Sequence, residues 1–409
     1  MREQRRTRVA IVGGGPAGLT AAKALAGTED VLVIEREAEA GGIPRHSNHW
    51  GYGVRDLRTV TTGPAYARRL AEGADEAGAE LMTSAMVTGW DGRTLEVTSP
   101  NGLVSVEVVL ATGARERPRT ARRIPGDRPA GVYTTGELQN HVHVYGHSVG
   151  TRAVVVGSEL VSWSAVMTLR HAGARTVLMT SARSEADTYA AVGLAGRVAF
   201  GVPVATRTTV ERVIGKGRVT GVEVLDHATG RSRMVACDSV VFTADWIPDH
   251  ELAVKLGLNL QPGSLAPLVD TALRTQTPGV FAAGNLLHPV DTADNAALDG
   301  RRVAASVRRW LSGARNLADG VPVHAAEPLT WIAPGLVRPG DPAPVGGRLV
   351  AWTSEYVRFP TVVAVQDGRE IGRVRTPWPA APGRIFRIPF SLLAGLDPSG
   401  SAVEVRLAS

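Results

Sequence analysis

A glycine-rich turn near the start of the chain has the residue spacing of a dinucleotide-binding site. The apolar run 9–12 leads into Gly13-x-Gly15-x-x-Gly18, which predicts a strand, a tight turn and a helix. Gly13 allows the sharp turn, Gly15 lets bare backbone approach a pyrophosphate, and Gly18 lets the helix and the strand pack closely. The N–H groups at the start of the helix attract phosphate.

An acidic residue stands where such a site needs a ligand for ribose. Glu35 follows Gly13 by 22 residues and comes directly after a second apolar run, 31–34. A carboxylate at this position accepts hydrogen bonds from ribose hydroxyls. The first part of the chain is therefore predicted to bind a dinucleotide.

A second stretch, 153–162, opens in the same way but lacks most of the glycines. Superposing the two turns places Glu159 and Ser162 where the first turn has its second and third glycines. A further 22 residues from the first glycine of this turn lead to Met179, and the nearest arginine, Arg183, lies four residues later. Because a carboxylate repels phosphate, we expect a Rossmann-like unit that binds no NAD(P).

The loop between residues 41 and 53 carries two candidate catalytic residues. Gly42 suits a close approach of the backbone to a cofactor, and His46 and His49 follow it. Histidine titrates near neutrality, so both are candidate proton carriers, and hydrogen-bonding wall residues are the alternative. Two histidines without an acid or cysteine ligand do not fill a tetrahedral shell, so no metal site is predicted.

Two later segments would return the chain to the first nucleotide site. Ala111-Thr112-Gly113 follows a strand-like run, and its small residues are typical of the end of the first lobe of two-lobe flavoproteins. The strand-like run 278–284 ends in Gly284-Asn285, where such proteins usually carry Gly-Asp. An amide can still bond the hydroxyls of a flavin side chain. A helix from Thr292 would direct its N-terminal dipole at the flavin, although Thr292 could equally be only its N-cap.

The composition excludes several classes of protein. The 409 residues carry a net charge of +6 with dispersed basic residues and no aromatic-interleaved basic stripe, so no nucleic-acid partner is expected. Cys237 is the single cysteine, which excludes a cysteine-pair redox centre, an in-chain iron–sulfur cluster and a disulfide framework. No apolar run approaches the ~18–20 residues of a transmembrane helix, and we expect a cytoplasmic protein.

The order of the patterns predicts an α/β protein with three domains. Two are Rossmann-like nucleotide-binding lobes: residues 1–115 with 266–320 as an FAD-binding domain, and 116–265 as a degenerate NAD(P)-binding-like domain. From Val321 the pattern changes to short alternating runs separated by Gly and Pro signals. Residues 321–409 are therefore predicted to form a small antiparallel β-domain, which either docks a partner or caps this same chain.

The ordered motifs resemble those of a known family. The set comprises Gly13-Gly14-Gly15-Pro16-Ala17-Gly18, Gly41-Gly42-Ile43-Pro44-Arg45-His46, Gly51-Tyr52-Gly53-Val54-Arg55-Asp56-Leu57, Gly63-Pro64-x-Tyr66-Ala67, Ala111-Thr112-Gly113-Ala114-Arg115-Glu116-Arg117-Pro118, Tyr133-Thr134-Thr135-Gly136-x-Leu138-Gln139 and Ala283-Gly284-Asn285. Over about residues 8–315 it resembles the FAD-binding subunits of multi-component dehydrogenases. These include the B subunit of hydrogen cyanide synthase, the A subunit of octopine and nopaline oxidases, and the α subunit of dye-linked proline dehydrogenases.

The resemblance implies a glutathione-reductase-like pair of lobes and electron transfer inside a complex. The implied partners are a second flavoprotein that oxidises an amine, amino acid or hydroxy compound, and a small iron–sulfur protein. The expected FAD contacts are Gly13, Gly15, Pro16, Ala17, Gly18, Glu35, Arg36, Gly42, Ile43, Ala111, Thr112, Gly113, Gly284, Asn285 and Thr292. This chain departs from several of these relatives because its C-terminal part has no cysteine cluster.

Two other functions stay open at the level of the sequence. One is a stand-alone NAD(P)H-dependent flavin reductase, which glycines at 159 and 162 and a charged residue near 179 would have favoured. The other is a flavin-bearing structural subunit without catalysis. Reduction of the isolated flavin by candidate donors would distinguish them.

Overall fold

The fold is that of a computed structural model, which describes residues 5–92, 94–98, 103–185, 187–316 and 318–408. The strands are β1 (Arg5–Val12), β2 (Val31–Ile34), β3 (Trp50–Tyr52), β4 (Thr61–Thr62), β5 (Glu80–Met82), β6 (Val87–Trp90), β7 (Thr94–Val97), β8 (Leu103–Leu110), β9 (Ala114–Glu116), β10 (Val132–Thr134), β11 (Arg152–Val156), β12 (Arg175–Thr180), β13 (Val204–Ala205), β14 (Thr208–Ile214), β15 (Gly221–Asp226), β16 (Arg231–Ala236), β17 (Ser239–Phe242), β18 (Trp246–Pro248), β19 (Val280–Ala282), β20 (Val321–Ala325), β21 (Leu329–Ala333), β22 (Leu336–Val337), β23 (Arg348–Thr353), β24 (Thr361–Gln366), β25 (Arg369–Arg375), β26 (Phe386–Pro389) and β27 (Val403–Leu407). The helices are α1 (Pro16–Leu25), α2 (Gly63–Glu76), α3 (Thr135–Gln139), α4 (Leu160–His171), α5 (Ala190–Phe200), α6 (Glu251–Lys255) and α7 (Ala293–Leu311).

The first lobe is a parallel sheet built from two separate parts of the chain. Strands β5, β2, β1 and β8 lie side by side in that order, and β19 joins the carboxyl end of β8 from residues 280–282. Residues 9–12 of β1 and all of β2 are apolar without alternation, because both faces of the sheet are buried there. Helices α1 and α7 pack on one another and on this core.

Glycines allow the tight packing of this lobe. A Cβ on Gly18 would overlap the carbonyl oxygen of Gly13, so helix α1 can lie against the end of β1 only without a side chain there. A Cβ on Gly300 would likewise overlap the carbonyl oxygen of Ala17, where α7 crosses α1. Gly18 therefore serves the close helix–strand packing that its position in the motif predicts.

The middle lobe repeats the architecture with a smaller sheet. Strands β10, β17, β11, β12 and β13 form a parallel sheet, and β14, β15 and β16 form an antiparallel meander. Strands β9 and β18 pair antiparallel where the chain leaves the first lobe and returns to it. The structure therefore shows the α/β class with two Rossmann-like lobes.

The last part of the chain, from β20 onward, is a β-domain with its own apolar core. One sheet has the order β22, β20, β27, β24 and β25, and the other has the order β21, β23 and β26. All their pairings are antiparallel except that of β20 with β27. Strand β20 begins at Val321, the residue at which the sequence pattern changes.

The β-domain is attached to both lobes by charged and close contacts. The Arg387 guanidinium donates to both carboxylate oxygens of Asp291, at 2.8 and 2.9 Å, in front of helix α7. Arg274 of the first lobe pairs with Asp341. On the other side, a Cβ on Gly383 would lie 2.5 Å from the Asp187 Cβ, so the loop before β26 presses on the middle lobe.

Three tryptophans of the β-domain, a residue type that is common at docking surfaces, make contacts inside the chain. Trp331 is only 6% exposed, and its ring stacks on that of Trp352. The Trp378 indole donates to the Arg387 carbonyl oxygen at 2.9 Å. These tryptophan contacts lie within the β-domain, and it is the contacts of Arg387 and Gly383 with the two lobes that favour the alternative in which the β-domain caps this same chain.

The described part of the chain has neither a membrane-spanning helix nor a group of side chains that could hold a metal ion. None of its helices is both long enough and apolar enough to cross a membrane. Its histidine, cysteine and acidic side chains form no group of three or more that could hold a metal ion.

We expect Gly300→Ala to destabilise the protein by about 1–3 kcal/mol, since overpacking costs that much in a close-packed contact. The urea midpoint for loss of the folded state measures it. Gly27→Ala is the matched control, because Gly27 is exposed and a Cβ there meets nothing within 4 Å. Equal midpoints for the two variants would contradict the close contact between α7 and α1.

Candidate cofactor-binding cavity

A cavity of about 870 Å³ opens at the carboxyl end of the first sheet and continues to the middle lobe. Its volume lies in the upper part of the range of small-molecule sites. The predicted site residues that line it are Gly13, Gly15, Pro16, Ala17, Glu35, Arg36, Gly42, Ile43, His46, His49, Ala111, Thr112, Gly113, Asn285 and Thr292. Gly18 and Gly284 do not line it and act through packing, since a Cβ on Gly284 would lie 2.7 Å from the Ala17 Cβ.

The first turn leaves the space that a pyrophosphate needs. Gly15 is the N-cap of helix α1, and a Cβ on Gly15 would meet only the Gly42 Cα, at 4.0 Å. A Cβ on Gly42 would lie 2.9 Å from the Gly15 Cα, so two bare backbone segments face each other here. The open helix N-terminus and the missing side chains fit the phosphates of FAD.

Glu35 is held rigidly at the edge of the cavity. Its two carboxylate oxygens accept hydrogen bonds from the backbone N–H of Gly14, at 2.7 Å, and of Glu37, at 2.8 Å. Each carboxylate oxygen can accept a further hydrogen bond. The geometry therefore fits an acceptor for ribose hydroxyls.

Asn285 offers a free acceptor to the cavity. Its Nδ2 donates to the carbonyl oxygen of Asp291 at 2.9 Å. Its Oδ1 is buried and has no partner among the described residues. A buried acceptor without a donor is costly, and a hydroxyl of the FAD side chain would satisfy it. Thr292 is the N-cap of α7, and its backbone N–H is already bonded to the Asp291 carboxylate at 2.8 Å.

Asp294, which the sequence reasoning missed, fixes the histidine-bearing loop. Its carboxylate accepts from the backbone N–H of Gly53 and of Arg55, both at 3.0 Å. The second residue of helix α7 thereby anchors a loop more than 200 positions earlier. Only the acidic first turn of the helix gave a signal for it, and an acid there has an ordinary explanation in the helix dipole.

His46 belongs to a buried hydrogen-bond network that defines its tautomer. The amide of Gln139 donates to the hydroxyls of Ser47, at 3.2 Å, and Ser164, at 2.7 Å, so its oxygen accepts from the His46 Nδ1 at 3.3 Å. The His46 Nε2 is then an unprotonated acceptor. Burial lowers the pKa of His46 to about 4. At neutral pH the ring is therefore neutral and can accept a proton or hydrogen bond only at Nε2.

His49 has both ring nitrogens engaged. Its Nδ1 donates to its neighbour's carbonyl oxygen, on Trp50, at 2.9 Å, and its Nε2 accepts from the Ser47 hydroxyl at 3.0 Å. Burial also lowers the pKa of His49. These bonds favour a hydrogen-bonding wall residue over a proton carrier at this position.

The second turn superposes on the first as expected, with one correction. Glu159 is the N-cap of helix α4, as Gly15 is of α1. The residue that follows the second strand of this unit is Ser181 and not Met179, because β12 extends to Thr180. The count of 22 residues was wrong because the turn and helix of the middle lobe are two residues longer.

Ser162 and Arg183 complete this comparison. The Ser162 hydroxyl, at the position of the third glycine, bonds the Thr243 hydroxyl at 2.6 Å. With the corrected register, Arg183 lies two residues after Ser181, and its guanidinium donates to the Asp187 carboxylate at 2.8 Å. The middle lobe therefore has an arginine near the ribose position, but a carboxylate already binds it.

Glu159 is a buried carboxyl that lines the far end of the cavity. It is 8% exposed, and among the described residues no donor bonds its side chain. Burial, and then the charge of Asp187, raise the pKa of Glu159 to about 8. A Cβ on Gly383 would lie 3.0 Å from the Glu159 Cγ, so the β-domain closes this end of the cavity.

Glu116 is a second buried carboxyl that the sequence reasoning did not single out. Its oxygens accept from the backbone N–H of Ala244 and of Gly136, both at 3.1 Å. Burial raises its pKa to about 6. Both Glu116 and Gln139 stand in motifs that carried the family resemblance, which was the available signal.

Comparisons with known proteins agree over most of the chain. The family model described as pyridine nucleotide-disulphide oxidoreductase matches residues 7–300. A thioredoxin reductase of Treponema pallidum (strain Nichols) is 29% identical and aligns with 68% of this chain and 88% of its own length. The ferredoxin reductase component of chlorobenzene dioxygenase from Cupriavidus sp. (strain PS12) is 27% identical over 78% of each chain. Sarcosine oxidase subunit alpha of Corynebacterium sp. (strain P-1) is 28% identical over 78% of this chain and 32% of its own.

Solved structures share the fold at low sequence identity. Thioredoxin reductase of T. acidophilum superposes with a TM-score of 0.64 at 21% identity, over 76% of this chain and all of that one. L-proline dehydrogenase from P. horikoshii superposes with a TM-score of 0.55 at 20% identity, over 76% of this chain and 56% of that one. The shared part corresponds to the two lobes in extent, and these likenesses concern the fold alone.

We expect Gly15→Glu to abolish FAD binding, because it places in the first turn the carboxylate that the middle lobe has at Glu159. The flavin absorbance of the purified variant measures the loss. Gly27→Glu adds the same charge on an exposed turn and should keep full flavin content. Stoichiometric FAD in a folded Gly15→Glu protein would show that the cofactor lies elsewhere.

We expect the pH dependence of stability to reveal Glu159. Its raised pKa means that the folded state keeps a proton that the unfolded state loses between pH 4.5 and 8, so this group makes stability fall as the pH rises. Glu159→Gln removes this contribution and should gain stability over wild type by more than about 1.4 kcal/mol at pH 8.5, the equivalent of one pKa unit. Thermal midpoints at pH 5 and 8.5 test this, and Glu37→Gln, at a half-exposed carboxylate, is the control. A variant whose midpoint follows wild type at both pH values would contradict the burial of the charge.

Proposed function

The chain belongs to the pyridine nucleotide-disulphide oxidoreductase family and is an FAD-dependent oxidoreductase, and we propose that it works as the electron-transferring flavoprotein subunit of a multi-component dehydrogenase or oxidase. Its complex would act on a small amine, amino acid or hydroxy compound. Bound FAD would supply the two-electron chemistry. We propose that the residues of the first turn, Glu35 and Asn285 hold it, and the bare backbone at the turn and the free acceptors of the two side chains support this.

The sequence offers no cysteine pair for a dithiol relay, because Cys237 is its single cysteine. The thiol is buried, and burial raises its pKa to about 11. Electrons must therefore enter and leave through another protein or a diffusible substrate.

The observation that carries the proposal is Glu159 at the N-cap of α4. In the first lobe this position is a bare glycine, and in the middle lobe a buried carboxyl occupies it under the β-domain loop at Gly383. A phosphate brought there would meet a carboxyl group in a region of reduced dielectric, where repulsion between like charges is strong. We infer that NAD(P) does not bind in the middle lobe.

The role in a complex is supported by the chemistry and by the relatives. Two of the similar proteins are named as a component or a subunit of a larger system, namely the ferredoxin reductase component and sarcosine oxidase subunit alpha. The proposed partners are a second flavoprotein dehydrogenase and a small iron–sulfur protein. Inside the cavity, His46 would accept a hydrogen bond or a proton at its Nε2. Its ring would be held in place by Gln139, which in turn bonds Ser47.

A stand-alone NAD(P)H-dependent reductase is the second candidate. The corrected register favours it in one respect, because Arg183 lies three residues after the end of β12. Similarity to a benzene dioxygenase system ferredoxin–NAD(+) reductase subunit of Pseudomonas putida, 28% identical over 78% of this chain, points the same way. The two candidates differ in whether nicotinamide nucleotides reduce the flavin.

We expect anaerobic mixing with NADH or NADPH to leave the flavin oxidised for minutes, because the middle lobe offers a carboxyl to the phosphates. Loss of the flavin absorbance band measures reduction, and dithionite is the positive control for a reducible flavin. Rapid bleaching by either nucleotide below millimolar concentration would replace the proposal with the second candidate. If neither nucleotide reduces the flavin, Glu159→Gly should remove the carboxyl group from the N-cap of α4. The variant should then show measurable nucleotide binding.

A further inference from the structure

We infer that the closed end of the cavity, at Glu159, is a binding site for the ammonium group of a small aliphatic amine. This site is separate from the predicted FAD contacts. It narrows the substrate classes of the proposed function to amines. The inference rests on the proposed absence of a dinucleotide from the middle lobe.

The first observation is a buried carboxyl that has no donor. Within the described ranges of the chain, no hydrogen bond reaches the Glu159 side chain, although more than nine-tenths of the residue is buried and it lines the cavity. The two carboxyls nearest to it are satisfied. Glu116 accepts from two backbone N–H groups, and Asp187 accepts from the hydroxyls of Ser158, at 2.8 Å, and Ser181, at 3.1 Å.

The second observation is that the neighbouring guanidinium groups are committed elsewhere. Arg183 donates to Asp187 at 2.8 Å. Arg122 donates all of its assigned hydrogen bonds to carbonyl oxygens, those of Arg117, Thr243 and Ala244, at 2.6–2.8 Å. Both lie close enough to lower the pKa of Glu159, but neither bonds it.

The charges that act on Glu159 come from both signs. Asp187 and Glu116 raise its pKa, and Arg183 and Arg122 lower its pKa without bonding it. From the β-domain side, the Arg384 guanidinium lies over the Tyr189 ring, 4.8 Å from its centre. Glu159 therefore has no hydrogen-bonded counter-charge among the described residues, and a ligand cation would supply one. Burial without such a partner raises the pKa of Glu159, which favours the protonated form in the absence of a ligand.

The surroundings favour a small alkylammonium over a larger cation. Gly383 lies against the stem of Glu159 at the end of the cavity, which leaves little room there for a bulky group. Leu160 and Val161, the next two residues of helix α4, also line the cavity and offer apolar surface to an alkyl chain. Ammonium donates hydrogen bonds to a carboxylate, and such charge-assisted bonds are about twice as strong as neutral ones.

Binding of an ammonium ion requires Glu159 to be ionised, so it releases the proton that the free protein carries. At pH 7 the release should approach one proton per amine bound. The affinity should increase about tenfold per pH unit below the pKa of Glu159, as for any ligand that competes with one proton. Glu116, whose pKa is about 6, titrates in the same range, and its backbone donors hold it in either state.

Calorimetric titration of the oxidised, FAD-loaded protein tests the inference. The probes are n-butylammonium chloride and n-butanol, its neutral analogue of the same length, with potassium chloride at matched ionic strength. Measurements at pH 7 in two buffers of different ionisation enthalpy count the protons released. We expect butylammonium to bind at least tenfold more tightly than butanol, with about one proton released.

Glu159→Gln should lower the butylammonium affinity at least tenfold and abolish the proton release, and butanol binding should stay within twofold. Glu159→Asp, which keeps the charge on a shorter side chain, should restore part of the affinity. Glu37→Gln removes a carboxylate at the opposite end of the cavity and should behave as wild type. Flavin content and circular dichroism show that each variant is folded.

Equal amine affinities in wild type and Glu159→Gln would overturn the site, as would no amine binding at all or no preference over butanol. None of these results depends on turnover or on nicotinamide nucleotides. Flavin reduction by NADH together with an intact amine site would overturn the proposed function and leave the amine site standing. A flavin that stays oxidised in the presence of NADH, together with no amine binding, would overturn the amine site and leave the proposed function standing.

Discussion

The cavity exists because backbone segments approach one another more closely than side chains would allow. Helix α1 begins against strand β1 only because Gly18 leaves room for the Gly13 carbonyl oxygen. Helix α7 crosses α1 closely because Gly300 has no side chain to meet the Ala17 carbonyl oxygen. The same is true of Gly42 facing Gly15, where the space between two bare backbones is the proposed phosphate position. Core packing in this lobe and ligand space at its edge thus depend on a single physical constraint.

The two lobes show how little needs to change for this constraint to fail. Both present a strand, a turn with a positive-φ glycine and a helix N-cap in the same relation. In the middle lobe Ser162 replaces the packing glycine and is accommodated by a hydroxyl pair with Thr243, so the fold survives. Glu159 replaces the glycine that faces the proposed phosphate position in the first lobe. A helix N-terminus that suits an anion in the first lobe therefore carries, in the middle lobe, a carboxyl group that suits a cation or a proton.

Local patterns predicted most of the fold, because each depends on neighbours in sequence. The apolar runs before Gly13 and Gly157 became β1 and β11, and the helix expected from Thr292 begins at Ala293 with Thr292 as its N-cap. The position of Met179 was wrong because a fixed residue count does not detect a longer turn and helix.

The site was predictable only as far as its motifs. Glu35 and the first glycines are read from spacing. Three other contacts join distant parts of the chain: the Gly53 N–H donates to the Asp294 carboxylate, Arg387 pairs with Asp291, and Gly383 lies against the stem of Glu159. Such contacts arise from tertiary packing, and no local pattern encodes them. The lowered pKa of His46 belongs to the same class, since it follows from burial.

The first sheet is completed by β19, which pairs with β8 although some 170 residues separate the two strands. During synthesis at about 5–20 residues per second, the ribosome therefore makes the entire middle lobe before this edge of the first sheet can be filled. For several seconds to about half a minute, β8 exposes unpaired N–H and carbonyl groups, which other strands can bind. Mispairing at this edge of β8 is possible until β19 has been made and pairs with it.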